Sequence, residues 1–332
     1  MRITVKDIAV DSGFSRGTVD RALHNKPGVN EQTRQLVLES IQRLGYEPDL
    51  QARGLVTGRS FSIGLVTLSL NNSFITELIS SVEALARKNS YFTYVTNSDM
   101  EPEVEVDCIR HLMSHKVDGI LLHSVHPVKG YSDWLEKLRL PLVAVGNRIS
   151  KKIPFVGIDD YQGGADAARK FKEAGYKSAI LFSPPLSYAG VTNIDAQERR
   201  SQGFVDEIKK DSTVELLRVL QSKDLEPLLP HLVKGNQNRL AIFCTSDIFA
   251  LSVLDFLMER DFSSPEDVGL LGFDNIATLK HIRPRLATID QNVEEIGRGA
   301  VERLLGKIQG TEAVDQAAIV HQFIPGASLP TL

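Results

Sequence analysis

From Phe61 onward, short runs that are apolar at almost every position alternate with segments that are apolar on one face only. The runs are "SFSIGLVTLS", "VDGILLHS", "PLVAVGN", "FVGIDD", "KSAILFSPP", "LAIFCTS" and "VGLLGFD"; the one-sided segments between them include residues 74–88, 165–174, 200–209 and 251–260. A strand that is apolar throughout is buried on both faces, so helices must cover both sides of its sheet and the strands pair in parallel. There are too many runs for one compact sheet, and "SIGLVTLS" and "SAILFSPP" read as the openings of two similar halves. In such sheets ligands bind beyond the carboxyl ends of the strands, which directs attention to the residues that end each run.

The first 46 residues follow a different pattern, that of three short helices. Thr4 can cap the first, with Val5, Ile8 and Ala9 inside, and Gly13 suits the turn that ends it. Ser15 can cap the second, where Val19, Ala22 and Leu23 recur at helical spacing. "NKPGVN" is a loop by composition, and Asn30 can cap a third helix carrying Val37, Ile41 and Leu44 and stopped by Gly45. Gly13 to Gly17 matches the hydrolase pattern G-x-S-x-G. A nucleophile elbow needs a strand before its serine; here an amphipathic helix precedes Ser15, so its natural role is an N-cap. A helix, a short glycine-containing turn and a second helix describe the helix-turn-helix of DNA-binding domains, although other helical hairpins share the spacing. The outer face of the second helix holds Arg16, Gly17, Asp20 and Arg21. An arginine can donate two bonds to guanine, worth roughly 1–3 kcal/mol of discrimination. Asp20 can accept from a cytosine amine or pair with Arg16 one turn back; a merely solvated face is the other reading.

Charge is compatible with a DNA-binding head on an acidic body. The 332 residues carry a formal net charge of -4, yet the first 60 hold nine Lys/Arg against seven Asp/Glu. Cys108 and Cys244 form no CxxC and imply no disulfide framework, which fits a reducing compartment. The first residues contain no apolar signal-peptide core, and no run approaches the roughly 18 apolar residues of a membrane span. A cytoplasmic protein with no membrane partner is therefore expected.

The stretches "ITVKDIAVDSGFSRGTVDRAL" and "RLGYEPDLQARGL" resemble the headpiece of the lactose-repressor (LacI) family of transcription regulators. The matching positions are Thr4, Asp7-Ile8-Ala9, Gly13 to Leu23, Thr33-Arg34, Leu44-Gly45-Tyr46 and Pro48, and the downstream alternation extends the likeness over nearly the whole chain. The resemblance implies an N-terminal all-α helix-turn-helix headpiece (residues 1–46), a hinge helix or linker (47–60), and an α/β two-lobed periplasmic-binding-protein-like (type I) effector domain. Its N-terminal lobe would comprise residues 61–161 and 292–320, its C-terminal lobe 162–291 and 321–332. The implied DNA-binding set is Thr4, Ser15, Arg16, Gly17, Thr18, Asp20, Arg21, Asn30 and Leu55. Many members have Ser at Asp20 and a longer side chain at Gly17, so the operator sequence does not transfer. Residues 49–55 make at most two helical turns, too few to be stable alone. In the family the paired hinge helices of a dimer enter the minor groove, and Leu55 stands where a leucine wedges between base pairs.

The resemblance also selects effector candidates at the run ends: Ser69, Asn72 and Phe74; Asn147 and Arg148; Asp160; Arg200, in "RSQGF"; Phe243; Asp247; Asp274; and Gln291. Phe74 also suits the inner side of its helix, and Asp160 and Asp247 also suit N-caps. An aromatic face with carboxylates and an arginine fits a small sugar. The same groups could serve a purine, nucleoside or sugar phosphate; Ile194, where purine-binding members place a second arginine, favours sugar. His123 and His126 end a run near the same region and could touch a ligand. His111 and His115 have zinc-compatible spacing but no evident third ligand, Trp134 suits packing on a helix, and no nucleotide motif is present, so no cofactor or metal is expected. The expected whole is a homodimeric, ligand-controlled regulator of the repressor type, bound to a palindromic double-stranded operator, with induction or corepression left open. Rival classes are a sugar-binding protein without DNA function and an esterase.

Overall fold

The computed structural model describes residues 3–46, 58–127, 130–184, 192–236, 238–311 and 318–330. The chain divides into two units, Met1–Ser60 and Phe61–Leu332.

The first unit contains α1 (Val5–Ser12), α2 (Arg16–Leu23) and α3 (Glu31–Leu44) around a small core of Ile8, Val19, Ala22 and Val37. Both glycine stops take left-handed backbone, Gly13 at φ 75° and Gly45 at φ 63°, a conformation that costs a residue without Cβ nothing. Ser15 and Asn30 accept from the amides of Thr18 and Thr33 at 3.2 and 2.8 Å, as N-caps do. At Thr4 the partner is Asp7, which accepts from the Thr4 amide at 2.8 Å and hydroxyl at 2.6 Å. The Arg34 guanidinium donates to the carbonyls of Ala22 and Lys26 at 3.2 and 3.3 Å, satisfying acceptors that the end of α2 leaves open.

The second unit carries two parallel sheets. One runs β2-β1-β3-β4-β5, from β1 (Ser62–Thr67), β2 (Phe92–Asn97), β3 (Gly119–Leu122), β4 (Leu142–Val145) and β5 (Phe155–Val156). The other runs β7-β6-β8-β9, from β6 (Ser178–Phe182), β7 (Glu215–Leu220), β8 (Leu240–Cys244) and β9 (Val268–Leu271). Helices α4 (Ser73–Lys88), α5 (Pro102–Ser114) and α6 (Tyr131–Lys137) connect the first sheet; α7 (Asp160–Glu173), α8 (Asp195–Ile208), α9 (Leu225–Gly235) and α10 (Asp247–Met258) belong to the second. Strand β10 (Thr288–Asp290) follows, then α11 (Val293–Gln309) returns to pack on α4, β3 and β4, and β11 (Gln322–Ile324) pairs antiparallel with β10. A bridge between Ile158 and Ile319 joins two of the segments passing between the lobes.

All seven apolar runs contain strands, and their residues in β1, β3, β4, β6, β8 and β9 are buried. Strands β2 and β7 were not evident in the sequence; each is a sheet edge with mostly exposed or half-buried side chains. Cys244 is buried and Cys108 half-buried, both as free thiols. Trp134 packs in the N-terminal lobe and stacks on Tyr131.

Helices α7 and α8 cross with their backbones in contact. A Cβ added to Gly164 would overlap the carbonyl oxygen of Arg200, and one added to Gly203 would overlap that of Tyr161. Side chains longer than glycine at either position would force the helices apart, so this pair of glycines sets Arg200 against the start of α7. One residue past Gly203, Phe204 is fully buried and stacks on Phe243 with ring centres 4.8 Å apart. The "RSQGF" segment thus combines a polar group for the cleft, a close crossing and a core anchor within one helical turn and a half.

Candidate functional site

On α2 the apolar stripe of Val19 and Ala22 faces inward, leaving Arg16, Gly17 and Arg21 exposed. Neither arginine forms an ion pair among the described residues, and Ser15 is occupied as a cap, bonding both the amide and the hydroxyl of Thr18. Asp20 corrects one expectation: it does not pair with Arg16. Its carboxylate instead meets Lys26 Nζ and His24 Nδ1, each at 3.0 Å. The Lys26 bond holds its carboxyl below the usual range, so Asp20 stays ionised. Thr4, Ser15 and Asn30 stand at the three helix N-termini, where free amides favour anions. Leu55, with residues 47–57 of the expected hinge or linker, lies outside the described residues.

The second site is a cavity of about 190 Å³ between the two lobes. Six of the sequence candidates line it: Asn72, Phe74, Asn147, Arg200, Asp274 and Gln291. Arg200 organises them. Its Nε donates to Asp160 at 2.8 Å, its Nη1 to the Thr245 carbonyl at 2.8 Å and to Asp274 at 3.3 Å, and its guanidinium lies 3.9 Å from the Phe273 ring centre. Gln291 closes the array by donating to Asp274 at 2.5 Å. Burial raises the carboxyls of Asp274 and Asp160, and Arg200 opposes that shift in both. An arginine so bound is a rigid fork, because each of these partners fixes its plane. Asn72 caps α4 by accepting from the Phe74 amide at 3.0 Å, which brings the buried Phe74 ring to the cavity wall.

Five candidates take other places. Asp160 sits behind Arg200 rather than on the wall. Asp247, fully buried, accepts from the Thr288 hydroxyl at 2.7 Å and the Ile276 amide at 3.0 Å, tying α10 to β10 and to the loop after β9. Three need correction as ligand contacts. Phe243 belongs to β8, inside its sheet and covered on both faces, and has no exposed surface. Arg148 is exposed and turned over the Phe155 ring, 3.9 Å from its centre, lining a different hollow with Lys151 and Lys152. Ser69 accepts from the Asn71 amide in a local turn and does not reach the wall.

The wall also contains residues outside the candidate set, of which Ile194 and His123 stand where the sequence already points to the cleft. Leu68, Met100, Pro184, Ile194, Ala196 and Phe249 add apolar surface; His123, Asn193 and Gln197 add polar groups. His123 was recognised only by its position at a strand end. The α8 residues follow no apolar run directly, so the strand-end rule passed over them.

Two family models match the chain. One, described as bacterial regulatory proteins of the lacI family, covers residues 4–49. The other, described as periplasmic binding proteins and sugar binding domain of the LacI family, covers residues 60–326. Catabolite control protein A of Priestia megaterium is 29% identical, with 96% of each chain aligned. A periplasmic binding protein/LacI transcriptional regulator of Alkaliphilus metalliredigens, solved in complex with D-xylulofuranose, is 27% identical with a TM-score of 0.70, covering 81% of this chain and 99% of its own. The Lac repressor dimer bound to operator and the anti-inducer ONPF has a TM-score of 0.84 at 18% identity, with 99% of each chain covered. That last likeness is one of fold.

Proposed function

Because this chain belongs to the LacI family of bacterial regulatory proteins, we propose that it binds a near-palindromic operator as a homodimer and changes its grip when a monosaccharide-sized effector occupies the interlobe cavity. Each protomer presents α2 to the major groove of one half-site, where the exposed Arg16 and Arg21 meet guanine edges. The N-termini capped by Thr4, Ser15 and Asn30 lie against phosphates, and Thr18, Gly17 and Asp20 complete the face. Leu55 fills the minor-groove role that the resemblance implies. The protein is a regulator of the cytoplasm with no turnover of its own.

A dimer matches the two-fold symmetry of such a site. It is further supported by β2, a sheet edge with Phe92 64%, Tyr94 39% and Val95 40% exposed. Apolar, unpaired edges invite association unless something covers them, and a second copy of this edge is the natural cover.

The observation that carries the effector reading is Arg200, fixed by Asp160, Asp274 and the Thr245 carbonyl, with the Phe74 ring on the same small cavity. At about 190 Å³ the cavity is below the about 300–1,000 Å³ of drug-sized pockets, which suits one sugar ring. The ligand acts by differential affinity for two lobe closures. The test is operator affinity, by fluorescence anisotropy on genomic palindromes, with and without each sugar that raises the melting temperature. A bound sugar that leaves operator affinity unchanged removes the coupling, and Arg200→Ala retaining sugar binding removes the cleft as the site.

A further inference from the structure

We propose that His123 and Gln197 form a hydroxyl-reading end of the cleft that admits an uncharged polyhydroxy ligand and turns away its phosphate ester. The inference rests on the effector reading above and specifies the ligand class that this site takes.

His123 directly follows β3 and Gln197 lies in the first turn of α8, so the two lobes contribute one residue each to the wall. His123 is 6% exposed and its Nδ1 has no hydrogen-bond partner among the described residues; the Oε1 of Gln197 is likewise buried and unpartnered among them. A buried polar atom left unpaired costs about 1–3 kcal/mol. Both residues line one small cavity, and each carries a polar atom that no described residue satisfies. The Gln197 oxygen can only accept, and the imidazole nitrogen can accept or donate according to tautomer. A ligand hydroxyl, which does both, fits each of them.

The imidazole is held rather than mobile. Gly146 has φ 73°, and a Cβ built there would overlap the ring at Nε2. The ring therefore packs against bare backbone. Burial, with Arg200 nearby, pushes the imidazole down to about 3, so it offers no positive charge at neutral pH.

The charges on the wall disfavour an anion. Arg200 is the one permanently charged cation among the described lining residues, and Asp160 and Asp274 already meet it. Arg148 is turned away over Phe155. A phosphate dianion placed here would face the Asp274 carboxyl and no unmatched cation among the described lining residues, whereas a neutral ring loses nothing by that balance.

The experiment uses the full-length protein and a paired panel: D-ribose, D-xylose, D-glucose and D-fructose, each against its monophosphate, read by thermal shift and then calorimetry. At least one free sugar is expected to bind, and its phosphate ester to bind at least 100-fold more weakly. His123→Leu and Gln197→Leu remove the unpartnered atoms while keeping bulk. Each is expected to lower affinity for that sugar by 10-fold or more while leaving the unliganded melting temperature unchanged or higher. A purely structural role for these residues would lower the melting temperature instead. The inference is overturned if a phosphate ester binds as well as its sugar, if no free sugar in the panel binds, or if both variants keep wild-type affinity. If both variants bind normally while Arg200→Ala does not bind, the cleft reading survives and only this inference is lost.

Discussion

Asn147 and Asn193 hold each other across the cleft. Nδ2 of Asn147 donates to the Asn193 carbonyl at 2.9 Å, and the Asn193 side chain returns a bond to the Arg148 carbonyl at 3.0 Å. The Asn193 amide donates to the Val125 carbonyl at 2.7 Å, and the Ala196 amide to Asn147 Oδ1 at 3.2 Å. All four bonds run between loops of the N-terminal lobe and the start of α8, and both asparagines are buried. The loop they grip is itself held from behind. Buried Glu105 accepts from the Ser124 hydroxyl at 2.7 Å, the Val125 amide at 2.6 Å and the Tyr131 hydroxyl at 2.5 Å.

Asn147→Ala removes two of these bonds and leaves the Ala196 amide and the Asn193 carbonyl without those partners. Each unpaired buried group costs about 1–3 kcal/mol, enough to shift a lobe equilibrium at least tenfold toward open. The variant is expected to have a larger radius of gyration by small-angle X-ray scattering and faster hydrogen exchange at the Ala196 amide. Wild-type values of both would show that these bonds do not hold the lobes.

The crossing of α7 and α8 gives a second expectation. Gly203→Ala introduces a methyl group where the Tyr161 carbonyl already lies. Overpacking of this kind costs typically 1–3 kcal/mol or more, and it should also move Arg200, less than one turn away. Gly235→Ala is the matched control, since a Cβ there meets nothing within 4 Å; in a helix it should stabilise by up to about 1 kcal/mol. Denaturant unfolding of the two variants should therefore move in opposite directions. A Gly203→Ala variant as stable as wild type would show that the helices can separate freely.

The elements most legible in the sequence were those whose burial is uniform. Strands β1, β3, β4, β6, β8 and β9 are covered on both faces, so their apolar runs need no context to be recognised. Edge strands β2 and β7 carry "FTYVTN" and "ELLRVL", whose polar positions reflect an exposed side rather than a loop. In the cleft, Asn72, Asn147, Asp274 and Gln291 follow strands and could be found by that rule. His123 could be found only as a location, and Asn193 and Gln197 not at all, because a helix start reached across a cleft leaves no local pattern. Arg148 and Phe243 fail for other reasons: Arg148 follows a strand but turns over Phe155, and Phe243 lies within β8 rather than beyond its end.

For the nucleic-acid face, Arg16→Ala and Arg21→Ala should each weaken operator binding by about 1–3 kcal/mol, roughly 5- to 150-fold, and relax the preference at one base pair. Both guanidinium groups are exposed and unpaired among the described residues, so neither change should disturb the three-helix core of Ile8, Val19, Ala22 and Val37. Anisotropy titrations against a set of single-base operator variants would read both effects. Equal loss on every sequence would instead identify a phosphate contact.

The buried His123 makes stability depend on pH in a way that a single variant isolates. In the unfolded chain this imidazole titrates near 6.5; in the folded chain burial and Arg200 hold it down to about 3. Between those values the unfolded chain binds a proton that the folded chain does not. Stability from this group is therefore complete above pH 6.5 and is lost as pH falls toward 3. Asp160, Asp247 and Asp274 act in the opposite direction, because burial raises their folded values and so favours the folded chain as acid is added. The overall profile mixes these contributions, but the difference between wild type and His123→Leu contains the histidine alone. On lowering the pH from 7.5 to 5.5, wild type should lose about 1.4 kcal/mol of unfolding free energy relative to the variant, corresponding to roughly one pKa unit. Urea titrations at the two pH values would measure it. A difference that stays constant would mean that the imidazole takes up its proton in the folded cleft, and the neutral ring assigned to it there would be wrong.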